Sequence, residues 1–363
     1  MGFAFIKHDT HIDFIGWRHW AYGISIVLLL AGLASALWGN GLKMGIDFAG
    51  GVIVQVQFDK PVNDEALKKS LDIPALPGIT TQRFGEGGRD YLLRFSSAEN
   101  ADASALRTNV VNALASAFPD NAAQILRLEV VGPKVGDDLT NKALSALYYA
   151  VLLIAVYISG RFEQRWMAGA IMAAALWGGM YVLSFTGLGM GWLVLFALAI
   201  TMVVCFFLKL NFALGAVVGL LHDVFITAGL LSIMDVEIDL NVMAALLTLV
   251  GYSLNDTIIV YDRLRENLRA APKIDLASLI NRSINQTLSR TILTSGTTFV
   301  ATLSLFLLGG GVIHDFALTM LIGVFIGTAS SIYVSSAILL GLGDTDFYVR
   351  AQEKEKYERP GEH

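Results

Sequence analysis

Eight stretches of this chain are apolar for long enough to cross a lipid bilayer, which takes about 20 residues, with a range of roughly 17 to 25. They fall near Trp20 to Trp38, Ala143 to Ile158, Met167 to Phe185, Trp192 to Leu208, Phe212 to Ile233, Leu240 to Val260, Thr291 to Leu308 and Phe316 to Leu342. The second is short but extends toward Asn141. Hydrocarbon offers backbone groups no water, so stretches of this length are read as helices that close their own hydrogen bonds. Composition agrees: 55% hydrophobic and 16% charged residues lie far from the balance of a soluble domain. The net charge of -5 says little about partners; its distribution says more. The single cysteine, Cys205, lies in an apolar run, cannot form an internal disulfide and reads as a buried, inert thiol.

Basic residues set the expected orientation, because they concentrate on the cytoplasmic side of a membrane. Arg161, Arg165, Lys209, Arg263, Arg265, Arg269, Lys273 and Arg282 fall in alternate short connections, while Lys7, Arg18, Arg350, Lys354 and Lys356 fall at the two ends. The opposite connections, Gly187 to Gly191, Met234 to Asp239 and Gly309 to Asp315, hold no Lys or Arg. Both termini are therefore expected in the cytoplasm. The stretch from Ile12 to Trp20 mixes aromatic and basic side chains and is expected at the interface ahead of the first span. Ala34-Ser35-Ala36 resembles a leader-cleavage site, but two aspartates precede this span, so it reads as a retained helix.

The expected organisation is an interfacial N-terminus (1–19), a first span (20–38), an outer domain (39–142), a bundle of seven further helices (143–342) and a cytoplasmic tail (343–363). About 100 residues suffice for a small domain with its own core. Val52, Val54, Val56 and Phe58 alternate with Ile53, Gln55 and Gln57, the period of a half-buried strand. A helix is expected from Asn63 to Leu71, strands over Ile79 to Phe84 and Tyr91 to Phe95 around the Gly85 to Gly88 turn, a helix from Ala103 to Phe118, and a strand over Ile125 to Val131. That β-α-β-β-α-β order is the ferredoxin-like split unit, giving an α+β outer domain on a polytopic helical membrane protein.

Catalytic chemistry is hard to find in the outer domain. Asp47, within Gly45-Ile46-Asp47-Phe48-Ala49-Gly50-Gly51, has no histidine between Trp20 and Leu221 to complete a site. It reads instead as a capping aspartate in a tight turn beside the membrane, as does the Gly132-Pro133 junction. No Walker pattern is present, so nucleotide hydrolysis is not expected, and the chain reads as a non-enzyme without metal or cofactor.

The bundle carries the chemistry. Tyr252-Ser253-Leu254-Asn255-Asp256-Thr257 interrupts an apolar span, and a carboxylate at that depth costs about 2.5 to 3.5 kcal/mol on insertion scales. Asp256 lies about 10 Å inside the end marked by Arg263, at roughly 1.5 Å per helical residue. Arg290 opens the next apolar stretch, so acid and base could meet inside the membrane and hold or exchange a proton, responding to helix motions that bring them together or apart. Asn255, Ser253, Thr294 and Thr297 are candidates to supply hydrogen bonds or to order water around the pair. Asp223 beside His222 is a second candidate; neighbours on a helix do not face each other, so an intimate pair is not expected without other helices. Gly323 and Gly327 form a small-xxx-small pattern suited to close helix packing.

Several of these motifs together resemble one family. Gly45 to Gly51 (GIDFAGG), Val131 to Gly136 (VGPKVG), Leu221-His222-Asp223-Val224, Gly251 to Thr257 (GYSLNDT), Asp262 to Asn267 (DRLREN), Asn281 to Ser295 (NRSINQTLSRTILTS) and Asp315 to Gly327 are similar, in order, to bacterial protein-export membrane proteins of the SecF family. SecF belongs with SecD to the resistance-nodulation-division superfamily. The resemblance implies a SecD partner, association with the SecYEG channel and with YajC, unfolded exported polypeptides as cargo, residence in the inner membrane, and use of the proton motive force in late translocation and release. The family's membrane acid and arginine fall where Asp256 and Arg290 stand. The family normally has six spans, so Met167 to Leu208 is an expected insertion. Trp166-Met167-Ala168-Gly169-Ala170 resembles Phe212-Ala213-Leu214-Gly215-Ala216, and an even number of added spans preserves every later orientation.

Two other classes share parts of this pattern. A proton-driven efflux transporter would carry a second outer domain and a second set of membrane motifs; a passive scaffold would need only packing. Contacts with lipid are implied throughout, and no nucleic-acid partner is.

Overall fold

The structure is a computed structural model that describes residues 10–39, 41–71, 73, 76, 79–84, 87–95, 103–163, 166–185, 187–271 and 273–343. Lys7, Arg165, Arg350, Lys354 and Lys356, the first two residues of the Gly85 to Gly88 turn and the tail from 344 lie outside the described residues.

The helices in chain order are α1 (Arg18–Trp38), the short α2 (Ile46–Ala49), α3 (Asp64–Leu71), α4 (Ala103–Ala117), α5 (Pro133–Glu163), α6 (Trp166–Ser184), α7 (Met190–Phe207), α8 (Asn211–Ile233), α9 (Leu240–Ala270), α10 (Leu276–Leu308) and α11 (Gly311–Ser330). A π-helical turn over Ser331–Ser335 then leads into α12 (Ser336–Leu342). Among the described residues, seven helical stretches are long and apolar enough to cross a membrane, α11 to α12 counting as one, and α6 adds a shorter apolar one.

Helix ends depart from the hydropathy reading because a helix continues where apolarity stops. α5 begins at Pro133, ten residues before Ala143, so the outer domain closes at Val131 rather than at 142. Proline fits the first helical position, where its missing N–H would have no partner. α9 likewise runs on to Ala270, and α10 starts at Leu276 behind the Asp275 cap, whose carboxylate accepts from Ser278 N at 2.9 Å.

The outer domain has the expected element order. Strands β1 (Gly51–Phe58), β2 (Thr80–Phe84), β3 (Asp90–Phe95) and β4 (Ala123–Val131) form one antiparallel sheet ordered β2-β3-β1-β4, with α3 and α4 as the crossovers. Val52, Val54, Val56 and Phe58 bury their side chains against Leu67, Leu71, Val110 and Leu114, which is the core that the period-2 pattern implied. Two glycines join this domain to the membrane part in backbone that favours glycine: Gly50 has φ +73° and Gly51 +139°. A Cβ on Gly50 would stand 3.1 Å from Pro133 Cα, so the entrance and exit of the domain are stacked on each other.

α8 is the hub of the bundle and packs on α1, α5, α7, α9 and α11. Glycines let its neighbours approach: a Cβ on Gly32 of α1 would lie 2.7 Å from Gly229 Cα. On α11, Gly323 receives Leu249 and Gly327 receives Ser253 from α9. The first turn of α8 is capped across the bundle by Glu163, whose Oε1 accepts from Phe212 N at 2.9 Å. At the end of the bundle away from the outer domain, residues 12–15 are fastened to α10. Ile12 N donates to Asn285 Oδ1 at 3.0 Å, Ile15 N to Asn281 Oδ1 at 2.9 Å, and Asn281 Nδ2 to Asp13 Oδ1 at 2.7 Å.

Candidate functional site

Two carboxylates are buried inside the bundle: Asp223 of α8 at 0% exposure and Asp256 of α9 at 2%. Asp256 accepts from Ser295 Oγ of α10 at 3.1 Å, and Ser295 Oγ lies 2.8 Å from Thr328 Oγ1 of α11. The acid thus sits where three helices meet, held by hydroxyls.

Arg290 does not form the expected ion pair with it. No Arg290 nitrogen comes within 4.0 Å of Asp256 among the described residues; Arg290 lies within electrostatic reach and its side chain is exposed. The reason is helical geometry. Thr291, Ser295 and Thr302 make the buried face of α10 at four- and seven-residue spacing, and Arg290 stands about 100° from Thr291 around a helix of 3.6 residues per turn.

The four candidate supporting residues divide differently from expectation. Ser253 donates to Asp223, not Asp256. Asn255 is on the exposed side of α9. Thr294 Oγ1 lies 3.0 Å from the carbonyls of Arg290 and Thr291 on its own helix and is also within hydrogen-bonding reach of the Asp256 side chain, as expected. Thr297 is exposed and donates to Leu293 O and Thr294 O, both at 2.9 Å.

His222 and Asp223 are in direct contact, contrary to the argument from helix faces. His222 Nδ1 is 2.8 Å from Asp223 Oδ1, and His222 Nε2 is 2.8 Å from Ser25 Oγ of α1. His222 thus bridges Asp223 to α1, and it lines the groove between α1 and α11. The other oxygen, Asp223 Oδ2, accepts from Ser253 Oγ of α9 and from Ser330 Oγ of α11 at 3.0 Å. Thr328 and Ser330 are two residues apart on α11, so one short stretch serves both acids, immediately ahead of the π turn. Such turns are frequent at functional sites.

Ser25, Ser295, Thr328 and Ser330 were not singled out from the sequence. Ser295 carried a faint signal, sharing its helix face with Thr291 and Thr302; the others are small hydroxyls among many. At the outer end, Asp47 Oδ2 accepts from Leu240 N at 3.0 Å, so it caps α9 beside Asp239, which accepts from Val242 N at 2.8 Å. Gly132 has open space around it, and Pro133 starts α5.

These features define a class: a multi-pass membrane protein with a ferredoxin-like α+β domain mounted on a helical bundle that buries carboxylates. The sequence profile of protein export membrane protein SecD/SecF, C-terminal, matches residues 110–189 and 185–345, and that of the SecD/SecF GG motif matches 35–62. The protein translocase subunit SecF of Magnetococcus marinus is 41% identical over 93% of this chain and 93% of its own length. That of Escherichia coli O157:H7 is 37% identical over 97% and 94%, and that of Vibrio alginolyticus 35% over 98% and 97%. The crystal structure of SecDF, a translocon-associated membrane protein from a Thermus species, superposes with a TM-score of 0.67 at 30% identity over 93% of this chain. A SecDF in super-membrane-facing form gives 0.54 at 31% identity over 97%. This chain spans 39% and 40% of those two chains. The chain belongs to the SecF family. The two pieces of the C-terminal profile overlap at 185–189, in the turn between α6 and α7.

Proposed function

We propose that this chain is a SecF-like subunit of the Sec export machinery in the inner membrane, with both termini in the cytoplasm and the α+β domain outside. With a SecD partner it uses the proton motive force to promote late translocation and release of exported polypeptides through SecYEG, Asp256 being the proton-carrying group. It acts by binding and motion, without catalysing a covalent reaction.

The observation that carries this reading is the setting of Asp256: a carboxyl 2% exposed, held by a hydroxyl pair, with Arg290 close but not in contact. A locked ion pair would fix the charge of the acid. A separated pair leaves it free to change with the position of α10 relative to α9. The partner is supported by Asn255 and Arg290 themselves, whose side chains face outward from α9 and α10 respectively. A guanidinium and an amide facing lipid are costly, so another membrane subunit on that face would relieve both.

Export of a secreted protein into inverted membrane vesicles, under proton and sodium gradients imposed separately, tests the proposal. A proton gradient should stimulate export with the wild-type chain and not with Asp256→Asn. Stimulation by sodium alone, or full stimulation of the variant, would overturn it.

A further inference from the structure

Proton coupling through Asp256 engages one of the two buried acids. The second, Asp223, is the more completely buried, and all its bonds are made to groups that can carry a proton: an imidazole on one oxygen and two serine hydroxyls on the other. No Lys or Arg contacts it among the described residues. In the same core cluster as α8, its neighbours contribute the titratable groups Tyr22 of α1, Tyr148 of α5, Cys205 of α7, Tyr261 of α9 and Tyr333 of the π turn, with Asp256 of α9 nearby; none is a cation. Of the cations of these helices, Arg18, Arg161, Arg263 and Arg265 lie toward the end away from the outer domain, and Lys134 and Lys142 of α5 lie at the outer-domain end.

His222 connects this acid to an opening. Together with Ser25 and Ser330 it lines a groove of about 750 Å3 between α1, α8 and α11, which runs to Gly16, Trp17 and Trp20 at the start of α1. Two fully buried hydroxyls flank Asp223 one helical turn away on either side. Among the described residues, Thr227 Oγ1, four residues on, has no hydrogen-bond partner, and neither has Ser335 Oγ, which abuts Gly219 four residues back.

We propose that Ser25, His222 and Asp223 form a second proton-carrying station, which exchanges its proton with the aqueous phase through the α1–α11 groove. A proton on Asp223 Oδ1 passes to His222 Nδ1. The Nε2 proton leaves to Ser25 Oγ, whose own proton passes to water entering the groove. One proton enters, one leaves, and the imidazole changes tautomer. Movement in the reverse direction restores it. Ser253 and Ser330 hold Oδ2, and Thr328 on the same turn of α11 reaches Ser295 and so Asp256. A shift of α11 at its π turn therefore acts on both acids.

The inference rests on the reading of this chain as proton-coupled, and one experiment separates the two. The full chain with its SecD partner is reconstituted in liposomes, and proton conductance is followed with an internal pH dye across external pH. Infrared difference spectra of the same samples report carboxyl protonation. Asp223→Asn should remove a carboxyl band present in the wild-type difference spectrum. His222→Gln keeps a polar side chain and should lower conductance at least tenfold. Ser25→Ala should shift the pH profile while leaving the quantity of inserted protein unchanged. Unchanged conductance and pH profile in all three, with Asp256→Asn still inactive, would overturn the second station and leave the first intact. Normal conductance in Asp256→Asn would instead overturn the Proposed function.

Discussion

Arg290 and Asp256 stand at similar depth on neighbouring helices without touching, and this changes what substitution should do. In a locked buried pair, removing one partner strands the other and costs about 3 to 5 kcal/mol. Here Ser295, itself bonded by Thr328, already holds Asp256, and Arg290 is exposed. Arg290→Ala should therefore leave the amount of inserted protein close to wild type while impairing export as severely as Asp256→Asn. Quantitative blotting beside an export assay checks this, and depletion of the protein would mean a structural pair. The two residues were legible in the sequence because a charge in an apolar run is conspicuous. Their geometry was not. Which way Arg290 points depends on a 100° step between consecutive residues, and Thr291, Thr294, Ser295 and Thr297 offer no apolar face to settle it. The partners of Asp223 were hidden for another reason: Ser25 and His222 are 197 positions apart, and a serine in an apolar helix is unremarkable until the fold places it against an imidazole.

Helices and strands were read well where periodicity or hydropathy defines them, as in β1 and the spans, and less well at their ends, where α5, α9 and α10 continue through polar residues. The π turn at Ser331–Ser335 had no sequence signal, since it is set by Tyr261 OH donating to Ser335 O at 3.0 Å and by Gly215 and Gly219 pressing against the same turn. Packing of α11 on α9 leaves little room. A Cβ at Gly327 would be 3.1 Å from Ser253 Cβ and 3.5 Å from Asp223 Oδ2. Gly327→Val should push these helices apart, at a cost of about 1 to 3 kcal/mol for overpacking, and lower both export and thermal stability in detergent. Gly251→Ala, with open space around it, is the control and should do neither. The α6–α7 hairpin is the opposite case. α6 packs chiefly on α5 and α7, and Trp177, Tyr181 and Phe185 are exposed along its outer side. Deleting 167–212 and joining Trp166 to Ala213 should yield a chain that inserts and keeps partial export activity. Failure to insert would show that Met172 and Cys205, whose sulfurs lie 3.5 Å apart in the buried seam, belong to an indispensable core.

The whole molecule is joined across one seam, where the outer domain and the residues leading into it meet the connection between α8 and α9. Gly45 N donates to Ile238 O at 2.8 Å and Ile238 N to Lys43 O at 2.7 Å, while Lys43 pairs with Asp235 and Arg94 of β3 with Glu237. The domain is therefore tied to the start of α9, the helix that carries Asp256 in its second half. Arg94 faces Asp47, Asp239 and Asp315 as well, and burial holds its guanidinium below the usual value against their attraction. Asp239 is held above 3.8, first by burial and then by Asp47 and Asp315, with the N–H of Val242 and the side chain of Asn241 opposing. A carboxyl raised on folding binds its proton more tightly in the folded state, so it contributes stability that is present below pH 3.8 and lost as pH rises through the raised value. Asp239→Asn keeps the side-chain oxygen that caps Val242 and removes the titration. The unfolding midpoint of the variant should match wild type at the acid end, exceed it as pH rises through the raised value, and hold that excess above it. Asp13 and Asp275 do not confuse the comparison: both are lowered by backbone N–H bonds, from Gly16 and Ser278, so their contributions are lost only below 3.8 and cancel between the two proteins. A difference that stays constant across the range would mean that Asp239 is not titrating at the seam, and that the domain is mounted there by its backbone bonds and by the Arg94–Glu237 pair alone.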